Sequence, residues 1–136
     1  MADRRHGHPA HETSTEIRHE NRDRKDLSGT IFTHVAFLDV DMTEAHSVGA
    51  VFDSCTFGIM RMREADLTGA RFEGATLRRV DLSGAWLHHA QMSDCDLRGS
   101  DISAVDPMNV ELNGALIDVD QAVVVATALG IDVRPE

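Results

Sequence analysis

The chain has 136 residues, 13 basic against 23 acidic side chains, and a formal net charge of −10. That length makes one domain, and the acidity disfavours nucleic acid as a direct ligand, because phosphate binding draws on a basic patch. Aromatic residues are only 4% and Tyr is absent, which also excludes a broad stacking platform for single strands. No apolar run is long enough to span a membrane. The opening MADRRHGHPAHETSTE lacks the apolar stretch of a secretory leader, so a cytoplasmic protein is the expectation.

Residues 1–24 are polar and of mixed charge, with Ile17 their one branched aliphatic residue. Such a segment buries too little to offset the entropy of ordering, so a disordered tail is expected. The run STEIRHENRDRK has the composition for a turn or two of helix from an N-cap at Ser14 or Thr15. His6, His8, His11 and His19 fall here and are expected to be solvated rather than to hold a metal.

Residues 25–119 carry a period of five. The large apolar positions run Leu27, Phe32, Phe37, Met42, then Phe52 and onward through Leu67, Leu82 and Leu97 to Ile117, with misfits at Ser47 and Pro107. Two residues before each stands a smaller one, such as Ala65, Ala70, Ala75, Val80 and Ala85. A helix turns through about 500° in five residues and would smear this pattern around its circumference. A flat strand would alternate successive large positions between its faces. A short extended run followed by a corner keeps all of them inside. Gly29, Gly49, Gly69, Gly74, Gly84, Gly99 and Gly114 share one phase, two residues after the large position, where a corner needs permissive backbone. The segment Leu27–Val119 holds six basic and fourteen acidic residues, a net of −8, so most of the acidity lies on it.

The units ADLTG, VDLSG and CDLRG resemble the A-(D/N)-L-x-x signature of the pentapeptide-repeat family. The resemblance implies an all-β solenoid, a right-handed quadrilateral β-helix with four pentads per coil. Twenty-residue spacing then sorts the sequence into sides. Phe32, Phe52 and Phe72 share one inner ladder, and Phe37, Phe57 and Leu77 the next. Pro107 removes a strand donor, so an irregular corner is expected there, and a similar irregularity is expected near Ser47. Cys55 and Cys95 fall two coils apart on one side. About 9.6 Å along the axis is too far for a disulfide, so both are expected as buried free thiols.

The outward position before each large residue also stacks by side. Asp41, Arg61, Asp81 and Asp101 form one column; Asp26, His46, Asp66, Trp86 and Asp106 form another. The family pattern often places Asp there, where its carboxylate bonds corner amides. Asp41, Asp66, Asp81, Asp101 and Asp106, with Trp86 as the exposed aromatic, are the candidate partner-binding residues. His88 and His89 beside Trp86 are read as surface residues. Residues 120–136 form a C-terminal unit. Asp120 is an expected N-cap, Gln121–Leu129 a short capping helix and Gly130 its C′ residue. Val123, Val124, Val125 and Leu129 give this helix enough apolar surface to cover the open end of the solenoid and to meet a second copy, so a homodimer is the expected assembly.

No nucleophile–base–orienter set is visible and the glycines follow the repeat rather than a phosphate-binding pattern. The expectation is a non-catalytic interaction or scaffold module without cofactor or metal, presenting an acidic outer surface to a basic protein partner. The resemblance also admits a DNA mimic that binds a type II topoisomerase such as DNA gyrase and protects it from quinolones or toxins.

Overall fold

The computed structural model describes the backbone of His11–Glu12 and the whole of residues 16–136. The chain winds as a parallel β-solenoid in which each residue pairs with the one twenty positions on. Strands β1 (His11–Glu12), β3 (Ile31–Thr33) and β5 (Val51–Asp53) form one side. Strands β2 (Glu16–Arg18), β4 (Ala36–Asp41), β6 (Thr56–Arg61) and β7 (Thr76–Asp81) form a second sheet. Single bridges carry the same register onward, as in Arg71↔Gln91, Gln91↔Glu111 and Asp96↔Leu116. Four pentads therefore make one coil, and the right-handed quadrilateral β-helix is the fold.

Both inward positions are buried in every pentad from Leu27 to Val105, while Leu112, Ala115 and Ile117 in the last coil are only partly buried. Phe72, Leu77, Leu82, Met92 and Leu97 are wholly enclosed, as are the small residues Ala65, Ala70 and Ala90. Ladder register turns this into aromatic stacking: Phe32 and Phe52 lie 5.1 Å apart and nearly parallel, Phe52 and Phe72 4.9 Å apart. The neighbouring column meets them edge-on, with Phe37 5.1 Å from Phe32 and Phe57 5.2 Å from Phe52. Each such pair adds about 0.5–1.5 kcal/mol beyond area burial, so the phenylalanine-rich N-terminal coils are the best-cemented part of the rod.

The corners explain the glycine phase and go beyond it. From His19 to Gly99, and again at Gly114, the residue two after the large position takes a left-handed backbone, with Gly69 at φ 68° and Gly99 at φ 82°. Eleven non-glycine residues among those described adopt it too, including Asp39, Glu64, Ile59 and Arg79. Corners come in two forms. Where the chain makes a tight turn, the N–H of the small inward residue bonds the preceding large residue's carbonyl, as Ala45 does to Met42 and Ala85 to Leu82, both at 3.0 Å. Where strand runs through the corner, in β4, β6 and β7, the inward residue is larger: Val40, Met60 and Val80. A wider corner leaves more interior to fill, and the bigger side chains fill it.

Four expectations need correction. The coil begins before residue 25: β2 pairs with β4, Ile17 is buried, and Asn21 bridges Asp41. Residues 16–24 are thus part of the solenoid and contain no helical turn; Ser14, Thr15, His6 and His8 lie outside the described residues. The corner at Ser47 is regular, with Gly49 at φ 68° and Ala50 N–H bonding Ser47 O at 3.0 Å, because backbone hydrogen bonds set the corner regardless of the inward side chain. Pro107 does disturb the coil. Ala104 and Asn109 lack the positive φ that the corners on either side, Gly99 and Gly114, adopt, and the N–H groups of Asn109 and Val110 both turn to Asp106 O.

The fourth correction is the helix start. Helix α1 spans Val119–Ala128 with Asp118, not Asp120, as N-cap. Asp118 and Gln121 form a reciprocal capping box: Gln121 N–H donates to Asp118 Oδ1 and Asp118 N–H to Gln121 Oε1, both at 2.9 Å. The far end closes on Gly130 at φ 81°, whose N–H bonds Thr127 O while Ile131 N–H bonds Ala126 O. That is a Schellman closure, with Gly130 at C′ as the sequence indicates.

Candidate interaction surface

The outward carboxylates are held by the corners they precede. Asp41 Oδ1 accepts from Thr43 N–H at 2.9 Å, Asp81 from Ser83 N–H at 2.9 Å and Ser83 Oγ at 2.6 Å, and Asp66 from Thr68 N–H at 3.2 Å and Oγ1 at 2.7 Å. Asp101 accepts from Ser103 N–H and Asp106 from Met108 N–H, each at 2.9 Å. Every one is an Asx-turn acceptor, so the side-chain direction is fixed before any partner arrives. Partial desolvation raises the Asp81 pKa, yet the two Ser83 bonds and the Arg63 charge outweigh it and hold the group below the usual carboxylate range. Asp41 follows the same balance through Thr43 and Arg61.

The columns differ in net charge. Arg61 stands between Asp41 and Asp81 in the ladder and reaches Asp39 at 3.3 Å and Asp41 at 3.6 Å. Arg63 lies 3.7 Å from Asp81. Asp66, Asp101 and Asp106 make no ion pair among the described residues, so the uncompensated charge lies on them. The column of Asp26, His46, Asp66 and Trp86 is bridged rung to rung and stops at Trp86, because the coil departs from register at Pro107. Asp106 therefore belongs to the irregular corner. Trp86 is 66% exposed.

Sorting residues one at a time by charge misses a basic counterpart. Arg78, Arg79 and Arg98 rim a shallow depression floored by Gly58, Ile59 and Gly99 on the second side. Arg98 grips Asp96 through two bonds of 2.9 and 2.8 Å, and these pull the Asp96 carboxyl down to about 2. The rod is thus not uniformly acidic.

At the C-terminal end, α1 docks through polar groups. Gln121 is buried and its Nε2 donates to Leu97 O and Ser100 O, while Gly99 N–H donates to Asp118 Oδ2 at 3.0 Å. Of the four apolar candidates only Val125 packs on the core; Val123, Val124 and Leu129 are 41%, 39% and 44% exposed. Leu116, Val119 and Ile131 add to the apolar surface there. Elsewhere, Cys55 and Cys95 are free and buried, with desolvation pushing their thiols up to about 11 and about 12. The described residues contain no group of three or more His, Cys, Asp or Glu disposed to hold a metal ion. No helix among them is long and apolar enough to cross a membrane.

Comparison with known proteins agrees with this geometry. Residues 61–99 match the family described as Pentapeptide repeats, in eight copies. No curated protein matches the sequence. Among solved structures, the chain is similar to a pentapeptide repeat protein, Rfr23, from the cyanobacterium Cyanothece 51142. The TM-score is 0.65 at 18% identity, over 82% of this chain and 86% of that one. A pentapeptide repeat protein of the Arabidopsis thaliana thylakoid lumen overlaps with a TM-score of 0.46 at 20% identity, over 80% of this chain and 76% of that one. QnrB1, a plasmid-mediated fluoroquinolone resistance protein, overlaps with a TM-score of 0.39 at 17% identity, over 90% and 98%. Residues 61–99 thus match pentapeptide repeats, and the same twenty-residue register continues on both sides of them in the coil.

Proposed function

We propose that this chain is a non-catalytic interaction module whose rigid outer faces present fixed carboxylates to a basic protein partner. The observation that carries the reading is the set of Asx turns at Asp41, Asp66, Asp81, Asp101 and Asp106. Charges held by backbone lose little freedom on binding, and a field of one sign steers an oppositely charged partner. The inward positions are filled by packed side chains, so the working surface is the outside of the coil.

The test uses the chemistry of the turn. Replacing Asp66, Asp81, Asp101 and Asp106 by Asn keeps a side-chain oxygen for each corner amide and removes four charges. Wild type and variant, both shown to be folded at the assay temperature, are used as bait, and captured proteins are identified. A basic partner held by wild type, released by salt and lost to the variant supports the reading. Equal retention by both contradicts it.

A second reading is a DNA mimic of a type II topoisomerase such as DNA gyrase. What favours it is the exposed apolar surface of Leu116, Val119, Val123, Val124 and Leu129, which suits a two-fold dimer that would set two acidic rods end to end. It requires a dimer in sedimentation and inhibition or protection of gyrase supercoiling by excess protein. A monomer at tens of micromolar together with unchanged supercoiling removes it.

A further inference from the structure

One groove holds more than charge. This surface groove is lined by Arg24, Glu44, His46, Glu64, Asp66, Gly84 and Trp86. Two outward columns bank it: Glu44 and Glu64 on one side, and His46, Asp66 and Trp86 on the other, bridged rung to rung. At the level of Trp86 the opposite bank is Gly84, where an added Cβ would stand 3.1 Å from Glu64 Cγ. The missing side chain opens the channel beside the indole, leaving a groove of about 570 Å³ with Trp86 as its wall.

The charges in the groove are not equivalent. Glu44 is offset by Arg24 at 3.2 Å. Glu64 has no ion pair or hydrogen bond from its carboxylate among the described residues. Asp66 spends Oδ1 on Thr68 and keeps Oδ2 available. A large aromatic face thus stands about 4.8 Å, one rung, above two carboxylates with acceptor capacity. A ligand that satisfies both features is cationic, planar and rich in donors. A guanidinium stacks on indole and donates to carboxylates in one pose; an ammonium is a compact, strongly hydrated charge and matches only the second feature.

We propose that this groove docks an arginine side chain of a protein partner, the guanidinium lying on Trp86 and donating to Glu64 and Asp66. The proposal rests on the reading of the acidic surface as partner-facing and names where on it recognition is made.

Trp86 is the chain's single tryptophan, so its emission reports the groove directly. The probe is a labelled arginine-containing nonapeptide, with lysine and citrulline versions of the same sequence. The arginine peptide is expected to change Trp86 emission saturably, the lysine peptide to bind several-fold more weakly, and the citrulline peptide to leave emission unmoved. Glu64→Gln and Trp86→Ala, both at exposed positions, are expected to weaken the labelled peptide at least fivefold by anisotropy with melting temperature unchanged. Unmoved emission, or a citrulline peptide as effective as the arginine one, overturns the proposal. If the arginine peptide binds wild type, Trp86→Ala and Glu64→Gln equally, the groove assignment fails while the acidic surface as a whole stands. If it binds none of them, both fail.

Discussion

Two buried serines show what the interior demands of a polar group. Ser100 Oγ donates to Leu77 O at 2.9 Å and accepts from Val80 N–H at 3.0 Å. Ser47, enclosed in the column of Leu27 and Leu67, has a hydroxyl without a partner. Burying an unpaired hydroxyl costs about 1–3 kcal/mol. Ser47→Ala is therefore expected to raise the melting temperature, and Ser100→Ala, which strands the Val80 N–H, to lower it; calorimetry on the pair checks both signs. Ile59 makes the parallel case for backbone. It is β-branched, 51% exposed and held at φ 56°, a conformation that costs a non-glycine residue about 1–2 kcal/mol. Ile59→Asn is expected to stabilise the fold by about 1 kcal/mol in urea melts, since Asn tolerates this region. The inward residues and the Asx role of the aspartates were legible in the sequence, because a period of five leaves them no other place. Ile59's strain was not, because nothing in its identity marks a corner.

Helix α1 shows what an element adds that a repeat cannot announce. The sequence points to a capping helix and to Gly130 as its stop, but the apolar content directs attention to the valines. The anchor is Gln121, which closes the capping box and supplies donors to Leu97 O, which also takes Ser100 N–H, and to Ser100 O, which a further coil would have paired. The D-x-x-Q spacing of Asp118 and Gln121 was readable; continuing the five-residue phase through Val119 hid it. Gln121→Ala is expected to destabilise by about 1–3 kcal/mol through the stranded Ser100 carbonyl and the lost cap, whereas Val123→Ala, at an exposed position, should change stability little. Chemical denaturation of the two variants separates polar from apolar docking. The same blindness operated at the other end. Arg22 occupies an inward phase, half-buried and bonded to Glu20 at 3.0 Å, so the apolar rule began about two pentads too late. An arginine stem covers apolar surface while its head stays in water, and that suits the first, open coil.

For the whole molecule, stacking of like positions every twenty residues decides both stability and surface. Asp96, Asp81, Asp41 and Asp39 have folded-state pKa values held down by hydrogen bonds and arginines. At acid pH the unfolded chain binds more protons than the folded one. Their contribution is therefore complete above about pH 4, the unfolded carboxylate range, and is lost as pH falls through the folded values, down to about 2 for Asp96. The melting temperature should be level near neutrality and fall from about pH 4 towards pH 2; a Tm that rises on acidification would contradict this assignment. The Arg78, Arg79 and Arg98 cluster was open to the same twenty-residue sorting as the aspartates. A net charge taken over the whole repeat conceals it, because charges of opposite sign cancel in a sum but not on separate faces of a rod.

The central claim is that fixed surface carboxylates, and not an interior site, make the recognition. Its most direct measurement is the affinity of the captured basic partner for wild type and for the variant with Asn at Asp66, Asp81, Asp101 and Asp106, by calorimetry at two salt concentrations. The account predicts at least tenfold weaker binding for the variant and a shallower salt dependence, with both proteins folded at the assay temperature. Equal affinity and equal salt dependence in the two proteins would contradict it.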